Sequence, residues 1–567
     1  MKLVSTTPII FACLIACSDN TPQHVNSSDF CISGSSIYTA NDASSTANAV
    51  AVKDGVISYV GSNDQNWCEK HTSPNPNVIN LSKNTLFPGF TDAHGHFLAI
   101  GLREMTLNLE GSNSVSDLQN KLKGAVSTTP KGETIYGRGW IETHWPEKRF
   151  PNKHDLDEIT TEHPVIFERS DGHAVVVNSK ALELSNITKE TPAPFGGAIN
   201  LGDNGEPTGM LVDNAANLVL GLIDDITPER KEKAFILASE LYASRGWTNI
   251  HSMSVDPNDI AVLNRLAHEG KIKIRVYNSV DLVDEGSMPS LTTGKATDNE
   301  LITTRAIKLY ADGALGSRGA ALLQPYSDDP NNEGLLTLKE VQADEILRAA
   351  LRNGTQVNTH AIGDKANRLV LQWYKNAFDA VPQSERPNAD PRWRIEHSQI
   401  VHVDDIPLFA KYNIVASMQP SHAIGDLHFA VDRLGKDRLA GGYAWRSLID
   451  SGAVIAGGTD APVEVGDPRI EFYAATQRKD LKGYSNDAWY PEQKVSPQEA
   501  LKMFTAWPAY AAFQDTKLGT IEVGKAADFT ILDTNIMTAS GDDILAAKTI
   551  MTIVDGKIAY QLASSRE

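Results

Sequence analysis

The sequence predicts an α/β chain organised as a (β/α)8 TIM barrel, with a small β-sandwich built from both chain ends and a cap inserted into the barrel. Three observations predict it. Strand-like apolar runs alternate with amphipathic helical stretches through the middle of the chain. Polar residues able to do chemistry fall where those runs end, the side on which such barrels gather their active sites. Both ends of the chain read as β-hairpins.

At 567 residues, with 41% hydrophobic content, the chain has material for a large core and for more than one domain. Its net charge of −19 argues against a nucleic-acid partner, because phosphate binding needs basic surface. Residues 1–17 open with Met1-Lys2 and a mostly apolar stretch too short for a stable membrane span, the pattern of a signal peptide. The stretch ends in Leu14-Ile15-Ala16-Cys17, which resembles the lipobox of bacterial lipoproteins. That resemblance implies cleavage before Cys17 and a lipid anchor on it; ordinary secretion is the alternative. Ser18 carries no inner-membrane retention signal, so the expected place is the periplasm, anchored to the outer membrane. Residues 18–28 are polar and read as a flexible tether. Cys31 and Cys68 then remain, and an even pair in an oxidising compartment suggests a disulfide, with two free thiols as the alternative.

Residues 29–85 and 515–562 form the expected composite β-sandwich. In the first, AVAVKDGVISYVG alternates apolar and polar residues around Asp54-Gly55; in the second, TIMTIVDGKIAYQ repeats the design around Asp555-Gly556. Residues 86–514 form the expected barrel. Candidate strands end near His94, His251, Ser279, Tyr310, His360, His397, Met418 and Asp460, separated by helices such as ERKEKAFILASELYASRG. A doubly wound sheet is the competing topology; the strand count and the placement of polar residues favour the barrel. The turn-rich stretch at about 109–226 reads as the cap.

The chemistry starts at FPGFTDAHGHF. In an extended strand His94 and His96 point to one face and make half of a metal site; a pair on a solvated loop is the plain alternative. Further along, Lys308 lies on the fourth candidate strand, His360 and His397 close the fifth and sixth, and Asp460 ends the eighth. One buried histidine at a strand end is usually a hydrogen-bonded core residue, but this set converging on one rim points to a metal hydrolase.

Those residues sit in PGFTDAHGH, IKLYADGALGSRGA, NTHAIGD, RIEHSQ, SMQPSH and GGTDAPV, with GRGWIETHWPEKRFPNKHDLD and ERSDGHAVVVNSKAL in the cap region. With them the chain resembles the amidohydrolase superfamily, in the amidohydrolase-3 branch that includes N-substituted formamide deformylases. The resemblance implies a barrel of the metal-dependent hydrolase type and zinc or another divalent metal. His94, His96 and Asp460 would hold the more buried ion and His360 and His397 a second. Lys308, as a carboxylated lysine, would bridge the two; an ion pair with Asp312 is the other reading of that lysine. It implies hydrolysis of an amide or N-formyl C–N bond by metal-activated hydroxide, with Asp460 as catalytic proton carrier. His173, His422, Arg318 and Trp140 are candidate substrate contacts, Trp145 and Arg169 candidate lid residues, and His251 matches no usual ligand position. The expected partner is a small molecule, with no nucleic acid, membrane contact only through Cys17, and a homodimer allowed. An ester or lactone hydrolase, or a non-catalytic binding protein on the same fold, are the competing readings.

Overall fold

The computed structural model describes residues 29–142, 145–170, 172, 174–194, 197–223, 226–282, 301–481, 483 and 487–563. The signal peptide, lipobox, tether and His173 fall outside the described residues.

Eight parallel strands make the central sheet: β1 (Phe90–Gly95), β2 (Trp247–Val255), β3 (Arg275–Asp281), β4 (Ile302–Tyr310), β5 (Gln356–Ala361), β6 (Arg394–His397), β7 (Val415–Met418) and β8 (Ile455–Gly457). Each lies beside the next in chain order, and a parallel bridge between Gly95 and Ala461 brings the last strand back to the first. That order makes a barrel; a doubly wound sheet would reverse direction partway across.

Local chemistry explains individual joints. The helix Pro228–Arg245 starts at Thr227, whose hydroxyl accepts from the Arg230 amide, with proline in the first turn. It ends at Gly246 in the left-handed region (φ 101°), which turns the chain directly into β2. A side chain on Gly246 would also meet Thr530, so the turn depends on glycine twice over.

The two chain ends meet in one eight-stranded sheet. Its joint is the antiparallel pairing of Thr85–Pro88 with Phe529–Leu532. Both Asp-Gly turns adopt positive φ at their central residues, 52° and 78° at Asp54-Gly55 and 54° and 72° at Asp555-Gly556. Those are the angles a two-residue hairpin turn matched to strand twist requires. One apolar cluster, including Ile32, Val50, Leu86, Phe529 and Ile553, holds the sheet together. Cys31 and Cys68 are disulfide-bonded beside it. Arg275, at the start of β3, ties barrel to sheet through ion pairs of 2.7 Å with Asp528 and 3.2 Å with Asp555.

Between β1 and β2 the chain builds the cap, a six-stranded sheet running from Leu107–Asn108 to Pro207–Asp213 with apolar clusters of its own. Trp140 and Trp145 belong to that core. Their indole N–H groups donate to Phe167 O (2.9 Å) and Ser112 O (2.8 Å). Trp140 is fully buried, so the structure corrects its candidate role: it packs the cap and offers no face to a substrate. Among the described residues no helix is long and apolar enough to cross a membrane.

Candidate metal centre

The C-terminal rim of the barrel gathers most of the expected ligands. Ligand atoms of His94, His397 and Asp460 lie within 4.8 Å of one another, and all three residues are buried. His96 Nε2 is 3.0 Å from Asp460 Oδ1, and His94 Nε2 is 3.4 Å from the same oxygen. The imidazoles follow one another around the rim, with ring centroids 5.6 Å apart for His96 and His94, 4.8 Å for His94 and His397, and 4.5 Å for His397 and His360. Lys308, near the end of β4, is 2% exposed, and Glu396 and Asp460 act on its charge. Burial lowers the pKa of that ammonium.

Strand alternation alone would not produce this arrangement. Glu396 and His397 are adjacent on β6 and should face opposite ways. His397 takes φ 72° and Ser398 φ 41°, a left-handed turn at the strand end that brings the imidazole over the barrel mouth. Asp460, beyond β8, likewise sits at φ 61°. Such angles cost on the order of 1 kcal/mol or more for a side-chain-bearing residue and persist where surrounding structure imposes them. The imposing contacts are visible at Asp92. Its buried carboxylate accepts from the amides of His94 (3.1 Å) and Thr459 (2.9 Å), the Thr459 hydroxyl (2.7 Å) and the Tyr242 hydroxyl (2.9 Å). It thus clamps the two ligand-bearing segments together. Gly458 completes the joint, because a Cβ there would meet His94 N at 2.4 Å.

His94 and His397 each have a hydrogen-bond partner at Nδ1, while His360 only approaches a carboxylate. His94 Nδ1 lies 2.5 Å from Glu396 Oε2, His397 Nδ1 lies 2.8 Å from Gln419 Oε1, and His360 Nε2 lies 3.4 Å from Asp312 Oδ1. Burial holds His397 well below the usual histidine range and brings His360 down to about 3, with neighbouring cationic groups adding to it. For Asp460, burial pushes upward, but His94, His96 and His397 outweigh it and hold the carboxylate well below its ordinary value.

The donor set fits a divalent cation. It offers imidazoles and a carboxylate, the ligand types zinc takes. The buried Nε2 of His94 has no hydrogen-bond partner among the described residues, an arrangement that costs stability unless something else meets the lone pair.

Other expectations sort by geometry. His422 stands beside the cluster, its ring 6.0 Å from that of His397 and its Nε2 3.6 Å from Asp460 Oδ2 and 3.8 Å from Glu464 Oε1. Arg318 pairs with Asp328 at 2.9 Å. Asp312 instead accepts the amides of Ala321, Ile362 and Gly363. Lys308 therefore does not have it as its partner in any observed contact. Arg169 pairs with Glu142 at 2.9 Å. His251, buried on β2, meets Arg394 and not the ligand cluster. Sequence reasoning passed over Glu396, Gln419 and Asp92; the acids stood within RIEH and TDAH, one and two residues before a ligand.

Comparisons with known proteins identify the family. Residues 77–560 match the Amidohydrolase family. YtcJ of Bacillus subtilis, a protein named as an amidohydrolase, is 32% identical over 535 residues, covering 93% of this chain and 98% of its own. The N-substituted formamide deformylase of Arthrobacter pascens is 25% identical over 550 residues, covering 95% and 99%. The crystal structure of an uncharacterized metal-dependent hydrolase from Pyrococcus horikoshii superposes with TM-score 0.73 at 25% identity, over 91% of this chain and 99% of that one. With a family match spanning most of its length, this chain belongs to the amidohydrolase family of metal-dependent hydrolases.

Proposed function

We propose that this amidohydrolase cleaves a non-peptide C–N bond, an amide or N-formyl group of a small molecule. The observation that carries the reading is the convergence of His94, His397 and Asp460 on one point, with His96 against the same carboxylate. Similarity to a formamide deformylase over nearly the whole chain supports the choice of bond.

His94, His96, His360, His397 and Asp460 would hold the metal, zinc in our reading, with Lys308 bridging a pair of ions once carboxylated. A bound divalent cation would polarise the scissile carbonyl and make water a stronger acid. The chain's own residues do the rest. Asp460 accepts the proton of the attacking water and passes it to the leaving nitrogen, which must be protonated to depart. His422, 3.6 Å from the second Asp460 oxygen, is placed to donate to an oxygen of the substrate as negative charge develops there. The N-terminal segment exports the chain, and Cys17 carries the lipid; the Cys31–Cys68 disulfide supports an oxidising destination.

The experiment is a paired panel of N-formyl amines, N-acyl amides and matching esters. It is run with protein stripped by chelator and then with protein reloaded with zinc. Hydrolysis of the formyl or acyl amides that vanishes on stripping and returns with zinc is expected. Turnover confined to esters, or indifference to stripping, would overturn the proposal.

A further inference from the structure

We propose that Glu396 is a positioning residue for the metal centre: locked by Arg394, its buried carboxylate keeps the His94 proton on Nδ1 and so aims the Nε2 lone pair at the ligand cluster. This rests on the metal-binding reading above.

Arg394 and Glu396 are two apart on β6, so both point into the barrel, and both are fully buried. The guanidinium forms an ion pair with Glu396 Oε1 at 2.7 Å and donates from Nη2 to Oε2 at 3.1 Å. Oε2 is the oxygen that faces His94 Nδ1 at 2.5 Å. The same guanidinium spans the barrel interior. It donates to Ala93 O (2.5 Å) on β1, to Ser417 Oγ (2.7 Å) on β7 and to His251 Nδ1 (3.0 Å) on β2.

Donor arithmetic then fixes the imidazoles. A guanidinium can only donate, so His251 Nδ1 accepts and the proton of that ring sits on Nε2. A carboxylate can only accept, so the Nδ1 that faces Glu396 carries a proton, and in the neutral ring that a metal ion requires Nε2 is left bare. That Nε2 lies 3.4 Å from Asp460 Oδ1 and hydrogen-bonds to nothing among the described residues. The otherwise unexplained His251 belongs to the same assembly as the far support of Arg394.

Stability does not account for the arrangement. A buried ion pair generally does no better than apolar side chains of similar volume. Its placement does account for it, because Arg394 touches the residue before His94 while Glu396 touches His94 itself. A carboxylate on the outer nitrogen of a ligand imidazole sets ring orientation and strengthens the inner nitrogen as a donor.

The test is zinc titration of metal-free protein against a chromophoric chelator, for wild type and Glu396→Asp, with melting of both metal-free forms alongside. Aspartate keeps the counter-charge for Arg394 but withdraws from His94. Zinc affinity is expected to fall about 10- to 100-fold, with turnover recovering toward wild type at excess zinc. Equal affinity overturns the proposal, as does a lowered melting point with unchanged affinity, which marks a structural role. Glu396→Leu, read below its melting point, repeats the test with no acceptor left for Nδ1; unchanged affinity there also overturns the proposal. A wild type that takes up no zinc removes the metal reading together with this one, whereas tight zinc in wild type and variants alike removes only the role of Glu396.

Discussion

Asp460 combines a left-handed backbone, φ 61°, with a carboxylate that faces three histidines. Asparagine tolerates that backbone region as well as aspartate does, so Asp460→Asn should keep the strand-end turn and the fold. The amide cannot hold a transferred proton. Turnover should fall by about 10²- to 10⁴-fold, the usual worth of a general acid–base, with an unshifted circular-dichroism melt; wild-type-like steady-state rates would reject the proton-carrier role. At this scale the sequence revealed the candidate ligands and hid their supports. His94, His96, His360 and His397 could be found because each lies at or just past the end of a recognisable strand. Glu396 could not, because simple alternation sends residues 396 and 397 to opposite faces, and only the left-handed turn at His397 brings both to the centre.

At the scale of elements, the strand ends were legible because buried parallel strands are apolar until they reach the rim. The structure ends β4, β6 and β7 at Tyr310, His397 and Met418, where the sequence pattern did, while β8 stops at Gly457, three residues before Asp460. Packing between helices was not legible. The helix Pro468–Gln477 places Glu471, 1% exposed, where its carboxyl accepts the Ser421 amide at 3.0 Å from the helix Pro420–Asp426. Burial, reinforced by Glu464 and Asp92, pushes this carboxyl well above its ordinary 4.5. The folded state therefore keeps a proton that the unfolded chain releases near 4.5, so the contact stabilises fully below that pH and loses strength as pH rises toward the folded value. Glu471→Gln keeps an acceptor for the Ser421 amide and has nothing to ionise. Melting curves at about pH 5 to pH 9 should show the variant gaining steadily on wild type as pH rises; a difference that does not change with pH would refute the assignment.

For the whole molecule, the remote ends join because each carries an Asp-Gly hairpin and an apolar strand, both readable in the sequence. The cap's own strand order was not readable, since short irregular strands carry little period. The assembled chain gives the N-terminal segment a setting. Asp29, the first described residue, accepts the amides of Asp54 (3.2 Å) and Ser73 (2.6 Å) and so anchors the chain entry to the end sheet. Between it and Cys17 lie residues 18–28, which reach at most about 40 Å when extended. A lipid on Cys17 would hold the enzyme within about that distance of the bilayer. One acyl chain binds a membrane only marginally, so durable anchoring needs more than one chain on that cysteine. Growth with a labelled fatty acid should therefore mark the wild-type protein and place it with the membrane fraction. A Cys17→Ser variant should carry no label and leave that fraction, while keeping its zinc-dependent activity because the site lies wholly within residues 94–460. Equal labelling of both proteins would refute the lipid anchor and leave the metal centre untouched.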